Sequence, residues 1–492
     1  MIKLFKRLFA QISGSTGFLK AVTTLLSGTF IALIISYAAQ PILTRLYTPE
    51  AFGLFDTFVS IIALLLPFAS LRYEDAIMLP EDDEEALGVL GLTFSLVVLV
   101  AAISTSLTVF KTPLANWFDE PSLALCFIWV PPTLIAVRFA KLTELWLTRQ
   151  KRYSTISKGQ VAQTALMAGS RIGFAKITNV MLPFGLMWGY IAGHVASASI
   201  YAHKILKTQP NFWQHIGHRE SIRHAARRYK RFPRFSMPST LLITLQSRLP
   251  IFFLLYFFDQ ATVGYYGRAF ALFAVPLSLI GGAISQVFFV EGAIARRAHT
   301  LDKLTTKVHS RLVTIGLFPT LAIMLTGPQV MGFFLGSAWE PAGVYLQWLA
   351  PWFFLASVAS PLTRLFDILE QQRKDFLTSM VIFFVQMPLF VYGCLTGDLM
   401  LALIYLAVGG ILARIIHIVV LLRLSETPLR AALFPYGQQL LLSIPFLGLL
   451  YFVQGYNISW LTALTLAVSG AIFLLIVYWQ LTKSTDSQST QQ

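Results

Sequence analysis

Apolar runs of about 20 residues follow one another along nearly the whole chain, with short polar segments between them. A helix of this length crosses the roughly 30 Å hydrocarbon core of a bilayer. The pattern therefore predicts an all-α polytopic membrane protein with about 14 transmembrane helices. The predicted spans are approximately 20–44, 52–71, 87–109, 122–148, 156–178, 181–206, 236–258, 262–290, 308–327, 342–368, 375–396, 399–423, 433–453 and 458–480.

The longest polar segment between spans is 207–235, which falls near the middle of the first twelve predicted helices. A weak internal repeat supports a division there, since "YEDAIM" at 73–78 resembles "VEGAIA" at 290–295. Parallel six-helix repeats are a known plan of transporters. The predicted organisation is a cytoplasmic amphipathic N-terminus (1–19), an N-lobe of helices 1–6 (20–206), a basic cytoplasmic linker (207–235), a C-lobe of helices 7–12 (236–424), two extra transmembrane helices (425–482) and a cytoplasmic tail (483–492).

The composition agrees with a membrane protein, because 56% of the 492 residues are apolar and only 12% are charged. Soluble domains carry about 25% charged residues. A net charge of +15 is also typical of nucleic-acid-binding proteins, but most Lys and Arg residues fall in loops on one predicted side of the membrane. This positive-inside bias places both termini in the cytoplasm and accounts for the charge without a nucleic-acid partner.

Cysteine and histidine spacing does not indicate a metal site. Cys126 and Cys394 lie inside apolar runs, while His215, His218 and His224 lie in the basic linker without Cys or paired carboxylates beside them. Contact with anionic lipid headgroups is the better interpretation of the linker.

Charged side chains at membrane depth are costly, so they normally face the interior of a helix bundle and often mark the substrate path. On the fourth span, two cations and one acid are spaced by three, which is compatible either with an internal ion pair or with a cationic cavity wall. Snorkelling to the interface is an equal alternative for Arg45, Arg72 and Arg268, which lie near span ends. The candidate substrate-binding residues are Arg138, Lys141, Arg171, Arg248, Arg45 and Arg268.

The stretch "LRYEDAIMLPEDDEEA" (71–86) forms the predicted cytoplasmic turn between the second and third spans. Arg72, Glu74 and Asp75 lie at the end of span two, where their side chains either face the mouth of the cavity or pair with each other. We expect these three residues and Glu144 to act in gating or ion coupling. The acids 81–85 follow Pro80 and are expected to begin the third span, because negative charge stabilises a helix N-terminus.

No hydrolase, phosphate-loop, zinc-protease or kinase motif occurs in a plausible context, and no soluble catalytic domain is present to hold one. A membrane polymerase of glycan assembly would have a long outer loop, which the predicted topology lacks. We therefore expect a transporter rather than an enzyme.

Four segments resemble one family: "GSTGFLKAVTTLLSGTFIALIISYAAQPILTRLYTPEAFGLF", "RYEDAIMLPEDDEEA", "VGYYGRAFAL" and "SQVFFVEGAIARR". They are similar to the polysaccharide-transporter branch of the multidrug/oligosaccharidyl-lipid/polysaccharide (MOP) exporter superfamily, which includes Wzx-type O-antigen flippases. The resemblance covers about residues 14–424. It implies two six-helix lobes around a central cavity that opens alternately to each side.

The resemblance also implies a flippase of lipopolysaccharide or exopolysaccharide biosynthesis in the cell inner membrane. Its substrate would be an undecaprenyl-pyrophosphate-linked oligosaccharide, such as an O-antigen repeat unit. No cofactor is expected apart from a coupling ion, H⁺ or Na⁺. Expected partners are membrane lipids and the polymerase and chain-length proteins of the same pathway. The alternatives are a MATE-like small-molecule antiporter, which would favour an acid-rich cavity, and a membrane enzyme of glycan assembly.

Overall fold

The computed structural model describes residues 16–177, 182–210, 212, 216, 218–456 and 458–489, and all regular structure among them is helical. The chain divides into two compact units, Met1–Phe252 and Phe253–Gln492. Most of the predicted amphipathic N-terminus, His215 and the end of the predicted tail lie outside the described residues.

Among its described residues, the first unit contains six long helices and most of a seventh. They are α1 (Thr16–Leu46), α2 (Pro49–Ser70), α3 (Asp83–Ser104), α4 (Leu123–Arg149), α5 (Tyr153–Ile177), α6 (Leu182–Thr208) and α7 (Met237–Phe257). The shorter helices are Tyr73–Met78, Ser106–Val109, Lys111–Trp117, Arg219–Arg228 and the π-helical turn Phe232–Ser236.

Local signals in the sequence explain how α2 and α3 begin. The Thr48 side chain accepts a hydrogen bond from the backbone N–H of Ala51, and Pro49 occupies the first helical position. The first turn of α3 carries Asp83, Glu84 and Glu85, whose charges complement the positive end of the helix dipole. The expectation that the acidic run opens the third span is therefore confirmed at Asp83.

The part of the second unit that the structure describes contains seven further long helices. They are α8 (Gln260–Arg297), α9 (Leu301–Leu335), α10 (Glu340–Leu362), α11 (Gln372–Leu395), α12 (Leu399–Leu424), α13 (Leu429–Gln454) and α14 (Ser459–Ser489). Shorter helices join them at Ser337–Trp339 and Arg364–Ile368. The last two long helices pack on α9, where the rings of Phe318 and Phe473 stack with centroids 4.5 Å apart.

Eleven of the described helices are long and apolar enough to cross a membrane, and α5, α6 and α8 complete the fourteen helices at the predicted positions. Large apolar side chains are exposed in both units. On α13 of the second unit, for example, Leu441 and Phe434 are each 70% exposed. The chain is thus a multi-pass helical membrane protein, as predicted. The number of spans, the side of each terminus and the lobe boundaries stay predictions.

Candidate functional site

The turn after α2 is built from two consecutive residues in the left-handed region, Leu71 (φ 47°) and Arg72 (φ 62°). Their conformation ends α2 and starts the 3₁₀ helix Tyr73–Met78 in a new direction. As a result Glu74 is buried, with 3% of its surface exposed, although it lies in a short connection between two helices.

The negative charge of the buried Glu74 is compensated by Arg138 of α4. The guanidinium Nη1 of Arg138 donates a hydrogen bond to Glu74 Oε1 at 3.0 Å, and Nη2 donates to the carbonyl oxygen of Leu66. Beside them, Arg72 Nη2 lies 2.7 Å from Asp75 Oδ2. Arg138, predicted to bind substrate, and the three turn residues predicted to act as a gate therefore form one network of two cations and two anions.

Asp75 occupies the outer edge of this network, with 35% of its side chain exposed. Partial burial raises the pKa of Asp75 above its usual value, and Glu74 raises it further, although Arg72 and Arg138 act in the opposite direction. Asp75 is therefore a protonatable group in the predicted gate.

The other two charges predicted on α4 form a pair of their own. Lys141 Nζ lies 3.2 Å from Glu144 Oε1, and the two side chains are 47% and 26% exposed. Among Arg138, Lys141 and Glu144 the cations exceed the acid by one, but Glu74 supplies the missing negative charge from the turn. The cations of α4 are thus compensated inside the first unit, and their predicted role toward substrate stays a prediction.

The acidic run itself is held by basic residues of the same unit. Arg149, the last residue of α4, donates from Nε to Asp83 Oδ1 at 2.8 Å and from Nη1 to the carbonyl oxygen of Pro80 at 2.8 Å. The carboxylate of Glu85 lies 2.8 Å from Arg228 and accepts a hydrogen bond from the Tyr229 hydroxyl at 3.2 Å.

Arg228 and Tyr229 belong to the predicted linker, which packs against α3. Glycines of α3 permit the close approach: a Cβ at Gly91 would lie 2.1 Å from the carbonyl oxygen of Ile216, and one at Gly88 would lie 2.8 Å from that of Ser221. The linker helix Arg219–Arg228 therefore docks one face on the acidic end of α3, whereas the sequence interpretation gave this segment only a contact with lipid.

A second charged group lies at membrane depth. Arg171 of α5 is 8% exposed; its Nε donates to the carbonyl oxygen of Leu186 at 3.1 Å, and its guanidinium carbon lies 4.5 Å from the ring centroid of Phe55. This stacking is a cation–π contact. The hydroxyl of Tyr47 donates to the carbonyl oxygen of Arg171 at 2.6 Å, which fixes the backbone at this point of α5.

Neutral polar side chains of α5 and α6 continue the group. The Tyr190 ring lies edge-on to Phe55 (5.8 Å between centroids) and to His194 (4.6 Å), and the amide nitrogen of Gln163 lies 3.2 Å from His194 Nδ1. None of these residues was selected from the sequence. The available signal was the spacing of Tyr190 and His194 by four, which places both side chains on one face of α6.

Arg248 of α7 completes the group from another helix. Both Arg171 and Arg248 act electrostatically on the Tyr190 hydroxyl, which links Arg248 to the residues of this group. Within the part of the chain that the structure describes, the half-buried Arg248 makes no hydrogen bond or ion pair. Arg248 is therefore a cation available to an anionic ligand near the middle of a membrane-crossing helix.

The two remaining candidates are on α1 and α8. Arg45, at the exposed end of α1, donates from Nη1 to the carbonyl oxygen of Pro41 at 2.7 Å. Arg268 lies on α8 in the second unit and is 7% exposed.

No group of three or more His, Cys, Asp or Glu residues that could hold a metal ion occurs among the described residues. Cys126 and Cys394 are free and buried.

Comparison with known proteins gives one family. A family model described as "Polysaccharide biosynthesis protein" matches residues 42–344, which is more than half of the chain. No curated protein matches the sequence.

Solved structures share the fold at low sequence identity. A structure titled "Lipid II flippase MurJ, inward closed conformation" matches with a TM-score of 0.70 and 12% identity, covering 93% of this chain and 99% of that one. An inward-facing MATE-family multidrug resistance transporter of the MOP superfamily matches with a TM-score of 0.60 and 16% identity, covering 82% and 98%. The Vibrio cholerae MATE transporter VcmN matches with a TM-score of 0.54 and 15% identity, covering 83% and 97%. The fold predicted from the sequence, that of the MOP exporters, is confirmed.

Proposed function

Because the chain belongs to the polysaccharide biosynthesis protein family, we propose that it is a flippase for undecaprenyl-pyrophosphate-linked oligosaccharide. The cargo in this proposal is an O-antigen or exopolysaccharide repeat unit, which crosses the inner membrane by alternating access. Both termini lie in the cytoplasm, and the movement is coupled to H⁺ or Na⁺. The chain acts as a transporter and not as an enzyme.

The observation that carries the proposal is Arg248, a half-buried cation near the middle of α7 that makes no hydrogen bond or ion pair with a described residue. A pyrophosphate is an anion that cannot enter hydrocarbon without compensation, and Arg offers it paired N–H donors. Arg248 has no partner among the described residues, so its donors are available for such a group. Gln163 and His194 add hydrogen-bonding groups that suit the hydroxyls of a glycan.

A small-molecule antiporter is the main alternative, since MATE transporters share the fold. A fold alone does not decide between substrates, because function depends on the chemistry of the site. The guanidinium groups of Arg171 and Arg248 repel the cationic compounds that an acid-rich site would favour. This chemistry and the family membership both support an anionic, glycan-bearing substrate.

The test is transport by the full chain reconstituted in vesicles that contain a labelled undecaprenyl-pyrophosphate oligosaccharide. The measured quantity is the rate at which the label becomes accessible to a membrane-impermeant glycosidase on the other side. We expect Arg248→Ala to lower this rate by about tenfold or more, because a hydrogen bond to a charged group contributes about 1.5–3 kcal/mol. Arg248→Lys should keep part of the rate, since the charge remains but the planar fork of donors is lost.

The matched control is Lys207→Gln, which removes an exposed cation at the end of α6 in the same unit. Its transport rate should equal that of the unmodified chain. Equal rates for Arg248→Ala and the control would contradict the proposed anion-binding role. Complete absence of flipping by the unmodified chain, with export of a small cation in the same vesicles, would favour the antiporter.

A further inference from the structure

The second unit contains a cavity none of whose lining residues has a role in the proposed function. It has a volume of about 860 Å³ and lies among the last turns of α8, the first turns of α9 and the start of α13. Its apolar lining includes Ile294 and Leu304. Pro428 and Ala431 line it at the start of α13.

Three cations form a row on one wall of this cavity. Lys303, Lys307 and Arg311 are spaced by four along α9, so their side chains follow one face of the helix. All three are exposed, and none makes a hydrogen bond or ion pair with a residue that the structure describes. Two acids, Glu291 and Asp302, also line the cavity, but neither is paired with these cations.

The position of the row relative to the bilayer follows from the length of α9. The helix has 35 residues and is therefore about 52 Å long, well beyond the roughly 30 Å of hydrocarbon. From Leu312 to Leu335 it carries no charged residue, a stretch of about 36 Å that is enough to cross the hydrocarbon. Arg311 consequently lies at the boundary of the hydrocarbon, and the two lysines lie in the headgroup layer.

We propose that this cavity is a binding site for the phosphate group of an anionic lipid. Arg311 offers paired donors to the phosphate, and Lys303 and Lys307 add point charges at headgroup level. Ile294 and Leu304 provide apolar surface for the first carbons of the lipid chains. The phosphate belongs either to a phospholipid of the leaflet or to a polyprenyl diphosphate, since both present the same chemistry.

The acid that α8 contributes to the cavity lining gives the proposal a second, oppositely directed consequence. Glu291 is on α8, faces the same cavity as the cations and carries the same sign of charge as a phosphate. Its removal should strengthen lipid binding, whereas removal of a cation should weaken it. A variant that merely disturbed folding would not produce both changes.

The experiment is native mass spectrometry of the purified full chain in neutral detergent with three probes: phosphatidylglycerol, phosphatidylcholine of the same chains, and undecaprenyl diphosphate. We expect one or both anionic lipids to be retained well above phosphatidylcholine. Lys307→Gln and Arg311→Gln should each lower the affinity about fivefold, because a basic residue near the lipid surface contributes about 1 kcal/mol. Glu291→Gln should raise it.

Arg297→Gln is the matched control, because this exposed cation lies six residues after Glu291 but does not line the cavity. Its lipid retention should be unchanged. Equal retention of phosphatidylcholine and both anionic lipids would overturn the proposal, as would an equal loss in Arg297→Gln and Arg311→Gln. Retention of phosphatidylglycerol indicates a phospholipid as the source, and selective retention of undecaprenyl diphosphate indicates a polyprenyl carrier. The outcome is independent of the flipping assay on Arg248.

Discussion

Arg138 on α4 donates a hydrogen bond at 3.0 Å to Glu74, which lies 64 residues earlier in the turn after α2. Both side chains are buried, and the pair holds a polar turn against a membrane-crossing helix. A buried pair adds little net stability compared with apolar residues of the same shape, but losing one partner leaves an uncompensated charge. Substitutions at different residues of the network should therefore have different effects on the stability of the protein.

Glu74→Gln and Arg138→Gln should each destabilise the protein strongly. Breaking a buried pair in this way costs about 3–5 kcal/mol, so we expect a marked fall in the apparent melting temperature in detergent, followed by tryptophan fluorescence. The double variant should lose clearly less than the two single losses combined, because it leaves no unpaired charge. Strictly additive losses would show that the pair has no coupling.

Asp75→Asn should not destabilise the protein, in contrast to Glu74→Gln, although the two acids are neighbours. Because the pKa of Asp75 is raised in the folded protein, its ionised form is disfavoured by folding, and this penalty is fully present at neutral pH. The penalty disappears as the pH falls through the raised pKa. The variant should therefore melt at or above the temperature of the unmodified chain at about pH 7, and the difference should shrink toward about pH 4. A constant difference across this range would contradict the assignment.

The sequence was sufficient to predict the helical fold and the positions of the long helices. Each apolar run is a local signal that can be read directly from the sequence. The acids at the start of α3 mark the first turn of that helix in the same way. The pairing of Glu74 with Arg138 was not predictable in the same way, because a separation of 64 residues leaves no periodic signal. Counting charges along α4 alone assigned Arg138 to an excess of positive charge that the folded unit balances.

Gly91→Val should release the linker helix Arg219–Arg228 from α3. A Cβ at this position would lie 2.1 Å from the backbone oxygen of Ile216, and a backbone atom cannot move aside as a side-chain end can. The exposed arginines of the linker should then become more sensitive to trypsin in the detergent-solubilised protein. Gly169→Val is the control, because no atom lies within 4 Å of its added Cβ. Unchanged cleavage in Gly91→Val would mean that the linker does not need this contact.

The group around Tyr190 shows a second limit of prediction from sequence. Arg171 and Arg248 were selected because charge at membrane depth is costly, and in the structure both act electrostatically on Tyr190. Tyr190 and His194 escaped selection because neutral aromatic residues are common in apolar helices. These side chains come into contact with Phe55 of α2 only because α2, α5 and α6 pack together in the fold.

Gly189→Ala tests whether the position of Arg171, and not only its charge, matters for transport. A Cβ on Gly189 would lie 2.4 Å from Arg171 Cγ and 3.0 Å from the carbonyl oxygen of Met167, so α5 and α6 would have to separate. The guanidinium would move relative to Phe55 and Tyr190 while every charge is kept. We expect the flipping rate of lipid-linked oligosaccharide in vesicles to fall by about tenfold, since misplacing a binding group by about 1 Å can cost a hundredfold. Gly173→Ala on α5, whose added Cβ meets no atom within 4 Å, should keep the rate. An unchanged rate in Gly189→Ala would exclude a positional role for Arg171.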